Sequence, residues 1–290
     1  MDIEKIKQKK SIKELLEFGI INIDKSSGPT SFDISDFVKK KLSLRKTSHF
    51  GTLDPKVTGV LPIALNRACK LTGFFLGEDK EYIGIMRMHE EISLEKIKAK
   101  IKEKFLGKII QMPPVKSRVK RVEREREIIS FEILEKDGKD FLFKTEVQGG
   151  TYIRKLIDDL GKELDVGAHM LELRRIRAGI FKEDSIVNLY NFEKAVDEYK
   201  NGNERPLREI IFSAEIISEA YPVMKLKSNN LKQIFTGKPI CAEDIIKDDG
   251  WKKDSIVCVF ADDKFIGMYK IVRDKQIFAK AEFVMQEIRE

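Results

Sequence analysis

Asp54 stands in the segment His49–Leu61, HFGTLDPKVTGVL, among Gly51, Thr52, Pro55 and Gly59. A carboxylate before proline in such a segment is a turn former or a reagent, since Asp opens turns by bonding nearby backbone and proline presets the following φ. Much later, Gln148-Gly149-Gly150-Thr151-Tyr152-Ile153-Arg154 leads into a stretch with Tyr152, Ile153, Leu156, Ile157, Leu160 and Leu164 at core helix spacing. Thr151 is the expected N-cap. Arg154 then falls in the first turn, where the helix dipole opposes a cation by about 0.3–1 kcal/mol and a capping box would use Glu or Gln. That position suits either an ordinary surface arginine or one that meets an anion. In Lys80–Met86, Tyr82, Gly84 and Met86 share one strand face, and an aromatic beside a glycine leaves room for something flat; core packing is the other use of such a tyrosine. Lys116–Arg126 holds six cations and two anions, including Lys116, Arg118 and Lys120, and reads as a solvated face or as a strip that follows phosphates.

Other chemistries find little support. The three histidines, His49, His89 and His169, are not spaced for a metal, and Cys69, Cys241 and Cys258 suggest neither a zinc site nor a disulfide framework. No serine sits in a nucleophile elbow, and no P-loop or GxGxxG occurs. Asp54 is left as the leading reagent, with no metal or cofactor expected. With 55 Lys+Arg against 48 Asp+Glu, the formal charge is +7, which suits a polyanionic partner. The charged first ten residues and the lack of a long apolar run point to a soluble protein of the cytoplasm, away from membranes.

Strand and helix signals alternate to about residue 220 and strands dominate thereafter. Gly19–Ile23 reads as a strand; Ser31–Leu42 reads as a helix with Phe32, Ile34, Phe37 and Val38 on one face. Tyr82–Met88 alternates as a strand, and Ser93 caps a helix with Leu94, Ile97, Ile101 and Phe105 on one side. Glu127–Leu134 and Phe141–Val147 form a hairpin around Asp137-Gly138. After Tyr221-Pro222 come strands at Ile256–Phe260, Phe265–Val272 and Ile277–Val284. The pattern predicts a mixed α/β body, residues 1–221, carrying a small β-rich unit, residues 222–290.

Taken together and in order, Ile20–Lys25, His49–Pro62, Lys80-Glu81-Tyr82, Gly150–Arg154 and Gly167–Arg175 closely resemble motifs of the pseudouridine synthases of the tRNA-uridine-55 and dyskerin family. The resemblance is dense over residues 18–182. The Asp-Pro-Lys-Val-Thr-Gly and Gly-Ala-His-Met-x-Glu-Leu-Arg-Arg forms are similar to the archaeal and eukaryotic H/ACA branch, and without long lysine-rich tails the chain looks archaeal. Residues 222–290 more loosely resemble the small β-barrel-like RNA-binding PUA domain of those enzymes.

The resemblance implies isomerisation of uridine to pseudouridine on a base flipped out of folded RNA, without cofactor. It implies Asp54 as the essential carboxylate, Arg154 as its partner, Tyr82 stacked on the uracil, Leu173 lining the pocket and His49 near the gap left by the base. Lys25 and the strip Lys116, Arg118 and Lys120 would face RNA. Partners would be tRNA or rRNA, with the enzyme acting either directly on uridine 55 of tRNA or on targets selected by an H/ACA guide RNA together with small core proteins. Three residues depart from the family pattern: Ser48 replaces a glycine, Phe50 a small residue and Ser26 a proline. A silent RNA-binding scaffold is the alternative, against which stands the joint presence of Asp54, Tyr82 and Arg154.

Overall fold

The computed structural model describes residues 1–113, 120–227 and 231–286. One mixed sheet holds β1 (Gly19–Lys25), β2 (Thr47–His49), β3 (Thr58–Leu65), β4 (Lys80–Met88), β5 (Gly107–Gln111), β6 (Arg124–Asp137), β7 (Asp140–Val147), β8 (Ala168–Ala178), β9 (Phe181–Lys182) and β10 (Ile211–Ser213). Its order is β10-β1-β3-β8-β4-β7-β6-β5, with β2 on β3 and β9 on β8. Among the described strands of this sheet, β3 and β8 form the parallel pair, joining Thr58 to Arg174 and Gly59 to Arg175. A second sheet runs β11-β13-β14-β15-β12, from β11 (Val223–Lys225), β12 (Ile240–Cys241), β13 (Ile256–Ala261), β14 (Lys264–Asp274) and β15 (Ile277–Val284). The α/β body with its β-rich end is as the pattern predicts. The chain passes between the sheets from Ser213 to Val223.

Helices α1 (Ile3–Lys9), α2 (Ile12–Glu17), α3 (Ser31–Lys41), α4 (Thr72–Leu76), α5 (Leu94–Lys104), α6 (Ile153–Glu163), α7 (Leu189–Lys200), α8 (Arg205–Ile210) and α9 (Leu231–Ile234) complete the described chain. Helix α3 starts at a reciprocal cap: Asp33 N donates to Thr30 Oγ1 at 3.1 Å and Thr30 N to Asp33 Oδ2 at 2.8 Å. Its buried face is Ile34 and Val38. Phe32, expected on that face, is instead 69% exposed, because the second helical position turns it away from the sheet. The cap of α6 also differs. Thr151 turns its hydroxyl back to Gln148 O at 2.7 Å, and buried Gln111 takes Tyr152 N at 3.0 Å and donates to Tyr152 O at 3.3 Å. Helix α6 therefore begins at Ile153 with its start pinned to β5.

The two sheets share apolar packing. Ile20 and Phe181 of the first sheet, with Phe18, Phe50 and Phe75 from the segments around it, join Cys258, Phe260, Phe265 and Met268 of the second in one buried cluster. Phe18 and Phe265 stack at 5.5 Å, and α1 adds Ile6 to the same cluster. Buried Glu215 takes Lys10 Nζ at 2.5 Å and Ser213 Oγ at 2.5 Å, tying the N-terminal segment to the end of the first sheet. No described helix is long and apolar enough to cross a membrane.

Because Phe265 serves both sheets, Phe265→Ala is expected to cost about 3–5 kcal/mol. The loss reads out as a lower denaturant midpoint, with amide exchange quickening in β13–β15 more than in β4–β8.

Candidate active site

Several backbone groups of the loop from His49 to Val57 are held by hydrogen bonds. Leu53 N donates to Ser31 Oγ at 2.8 Å while the same hydroxyl donates to Leu53 O at 3.0 Å. Val57 N donates to Asp54 O at 3.0 Å, and Gly28 N to Pro55 O at 2.9 Å. Lys25, fully buried, donates from Nζ to Ser26 O, Pro55 O and Val57 O at 2.9, 2.9 and 2.8 Å. Leu53 and Val57 are buried on either side. The turn reading of Asp-Pro is therefore correct, and the turn holds the Asp54 side chain outward, 48% exposed.

There the carboxylate meets Arg154, whose Nη2 lies 2.8 Å from Asp54 Oδ2. An exposed ion pair contributes about 0–1 kcal/mol to stability, so this contact is not what holds the fold together. Its importance is placement: Arg154, in the uncapped first turn of α6 where no acid of the helix offsets it, points its charge at a residue a hundred positions earlier in the chain. Gly150, with φ +86°, leads into this turn; a Cβ there would sit 3.2 Å from Arg126 Nη2, so Arg126 of β6 lies across the approach to α6.

Beneath the loop lies the β4–β8 face. Tyr82 pairs with Arg175 and Gly84 with Leu173, and Tyr82, Leu173 and Arg175 are buried at 8%, 7% and 1% exposure. Arg175 donates from Nε to Val60 O at 2.8 Å and from Nη2 to Gly51 O at 3.0 Å. It also bonds the Tyr82 side chain; burial pulls its pKa down while Tyr82 opposes that shift. One guanidinium thus joins both ends of the Asp54 loop to the tyrosine. The space expected beside Gly84 is filled, since a Cβ there would lie 2.9 Å from the Phe143 ring and 3.0 Å from Leu173. Glycine serves close packing at this position.

His49 closes β2 and bonds Thr52 Oγ1 through Nε2 at 3.0 Å, within the loop. Burial, then the Arg175 charge, lowers its pKa, which favours the neutral ring. Of the departures from the family pattern, Ser48 lies in the ladder opposite Ala64. Phe50 turns inward, 1% exposed and stacked on Phe75 at 4.5 Å. Lys25, expected on the RNA side, is fully buried, and its three backbone acceptors make it a prop of the loop. Lys120 is exposed, whereas Lys116 and Arg118 lie outside the described residues. Two site residues escaped the sequence reading. Arg175 gave a signal, as a basic position on the apolar face of a strand pattern; Lys80 gave the same signal two residues before Tyr82. Away from the loop, His89 Nε2 and His169 Nδ1 meet at 3.0 Å.

Residues 39–153 match the N-terminal domain of TruB family pseudouridylate synthase, and residues 154–217 match the C-terminal domain of tRNA pseudouridylate synthase B. The chain is 43% identical to a probable tRNA pseudouridine synthase B of Thermococcus onnurineus over 87% of its own length and 76% of that protein's. The corresponding protein of Pyrococcus abyssi is 40% identical, over 92% and 81% of the two chains. This chain belongs to the TruB pseudouridine synthase family. Its enzyme class is isomerase, and the reaction converts uridine to pseudouridine in RNA. The fold matches a solved Cbf5-Nop10-Gar1 complex with a TM-score of 0.90, at 37% identity over 97% of this chain and 89% of that one. A solved H/ACA ribonucleoprotein bound to a substrate RNA containing 2'-deoxyuridine matches with a TM-score of 0.88, at 35% identity over 97% and 89%.

Within this pseudouridine synthase, Arg175→Met leaves the Val60 and Gly51 carbonyls without their donor, at about 1–3 kcal/mol for each buried acceptor. Urea denaturation is expected to register that loss, and kcat to fall with it because the same change frees Tyr82.

Proposed function

We propose that Asp54 is the catalytic carboxylate, and that Arg154, Tyr82 and Leu173 hold the flipped uridine against it. The observation that carries this reading is the 2.8 Å contact between Arg154 and Asp54, on a loop held by hydrogen bonds from Ser31 and Lys25. A target base in folded RNA must leave its stack, at a cost of a few kcal/mol, before any group can reach its glycosidic bond. The C–N bond then breaks, the base turns and it rejoins the sugar through carbon, so nothing is consumed and no redox partner is needed. Asp54 fits attack on the sugar, attack on the base or removal of a sugar proton. Tyr82 offers its ring for stacking, and its hydroxyl is engaged by Arg175. His49 borders the loop on the side that the base leaves.

RNA targets are selected, in this reading, by an H/ACA guide RNA acting with small core proteins of the kind found with Cbf5, namely Nop10 and Gar1. The fold match over 97% of the chain to those assemblies supports this over unaided recognition of uridine 55 in tRNA. Residues 222–290 are assigned as a PUA-like RNA-binding unit. A cleft of about 460 Å³ supports contact with a polyanion at the seam of the two sheets: Arg45, Lys46, Arg67 and Lys70 line it beside Phe283–Gln286. Phosphate contacts of that kind set affinity and register more than sequence choice. The three free cysteines fit a reducing, cytoplasmic setting. A silent scaffold would need the basic seam but not the Arg154–Asp54 contact.

Asp54→Ala is expected to abolish pseudouridine formation while RNA affinity stays within about threefold. Unmodified tRNA and a guide-matched RNA, each incubated with and without guide and core proteins and then mapped for pseudouridine, separate the two modes of target choice. Modification of tRNA by the protein alone would favour direct recognition, and turnover by the Asp54→Ala protein would remove the mechanism.

A further inference from the structure

Three glycines from distant parts of the chain close on the turn between α4 and β4. At Gly51, which enters the Asp54 loop with φ +94°, a Cβ would lie 3.2 Å from Arg175 Nη1 and 3.8 Å from Lys80 Cε. At Gly149, which precedes the Arg154 helix, it would lie 2.7, 2.8 and 2.9 Å from the carbonyl oxygens of Leu76, Gly77 and Glu78. At Gly179, just past β8, it would lie 2.9 Å from Glu78 Cβ. Gly149 thus packs directly on the carbonyls of the turn, Gly179 on the Glu78 side chain, and Gly51 lies in contact range of Lys80.

Lys80 lies at the centre of this packing and is 4% exposed. Its Nζ donates to Leu76 O at 2.8 Å and to Glu78 O, with Phe75 O at 3.5 Å. Leu76 O ends α4, where a helix leaves carbonyls without an intrahelical partner, Glu78 O belongs to the turn that follows, and Phe75 O also accepts Glu78 N at 3.3 Å. Two of them, those of Leu76 and Glu78, are also the atoms that Gly149 packs against. The Lys80 backbone pairs with Val147 of β7 on one side and Ala178 of β8 on the other. Tyr82 follows two residues later on the same face.

We propose that Lys80 is a positioning residue for the isomerisation: by gathering the carbonyls at the end of α4 it registers the Tyr82 strand, the Gly51 entry to the Asp54 loop and the Gly149 turn of the Arg154 helix at one point. It acts through these elements, and its hydrogen bonds go to backbone. The proposal rests on the roles given above to Asp54, Tyr82 and Arg154.

Burial, then the Arg175 charge, lowers the Lys80 pKa from 10.5 to about 8. The charged groups facing it are Arg175 and Arg177 from β8 and Glu78 and Asp79 from its own turn; arginines and carboxylates do not change charge between pH 8 and 10. In that window the unfolded chain binds more protons at this lysine than the folded one, so its effect on stability becomes more favourable as pH rises. Its grip on the carbonyls weakens over the same window, as the ammonium becomes an amine with fewer donors. Activity and stability therefore move in opposite directions.

The test compares the full-length protein with Lys80→Met and Gly149→Ala, using kcat and KM on substrate RNA from pH 7 to 9.5 and urea unfolding over the same range. Expected for Lys80→Met at pH 7 is a kcat at least tenfold lower with KM within about threefold. With rising pH, the kcat advantage of the parent over the variant shrinks while its relative stability grows. Gly149→Ala, which keeps the lysine but pushes a methyl into the same carbonyls, is expected to lower kcat at least fivefold, and it tests the junction even if Lys80→Met does not fold. A kcat within twofold of the parent in either variant, or a kcat advantage that rises with relative stability, overturns the proposal. If Asp54→Ala is inactive and Lys80→Met is not impaired, only the Lys80 role fails; if Asp54→Ala turns over, the underlying reading fails by itself.

Discussion

A guanidinium with 1% exposure has to find its acceptors inside the protein, and Arg175 finds them in the Gly51 and Val60 carbonyls and in Tyr82. Taking a cation out of water costs several kcal/mol unless its donors are met, so the loop, β3 and the tyrosine are constrained together by this one group. Gly51 and Gly59, with φ of +94° and +99°, supply the backbone shape that brings the carbonyls within reach. A Cβ at Gly59 would lie 2.2 Å from Arg175 O, so the parallel pairing of β3 with β8 also depends on that glycine.

Around this centre the polar groups of the loop fall into a buried set and an exposed set. Lys25, Ser31 and Arg175 bind backbone and are hidden, whereas Asp54 and Arg154 bind each other and are about half exposed. The division follows from energetics: a buried, satisfied donor fixes a loop, while an exposed ion pair adds little to stability. Long-range order in the chain is what creates the pair, since Asp54 arrives on a loop before β3 and Arg154 on a helix after β7.

The second sheet is not a loosely tethered attachment. It shares a buried aromatic cluster with the first, and the N-terminal segment is bound into the same seam through Ile6 and the Lys10–Glu215 pair. A basic cleft crosses that seam, so a polyanion lying there would contact both sheets at once.

The sequence by itself determined the local features. Asp-Pro fixed a turn, alternation fixed the strands Tyr82–Met88 and Phe141–Val147, and the ordered motifs fixed the family. It also gave the helix whose first turn holds an unbalanced Arg154. What it misjudged were residues whose place depends on distant neighbours: Phe32 on the exposed side of α3, Thr151 displaced from its capping role by Gln111, Gly84 packed by Phe143, and Lys25 turned inward. The roles of Arg175 and Lys80 were decided only by tertiary structure, because a buried cation is recognisable by its acceptors, and those acceptors are backbone carbonyls contributed by segments far away in sequence. Side-chain pattern records which residues can turn inward; it carries no record of where distant backbone carbonyls come together.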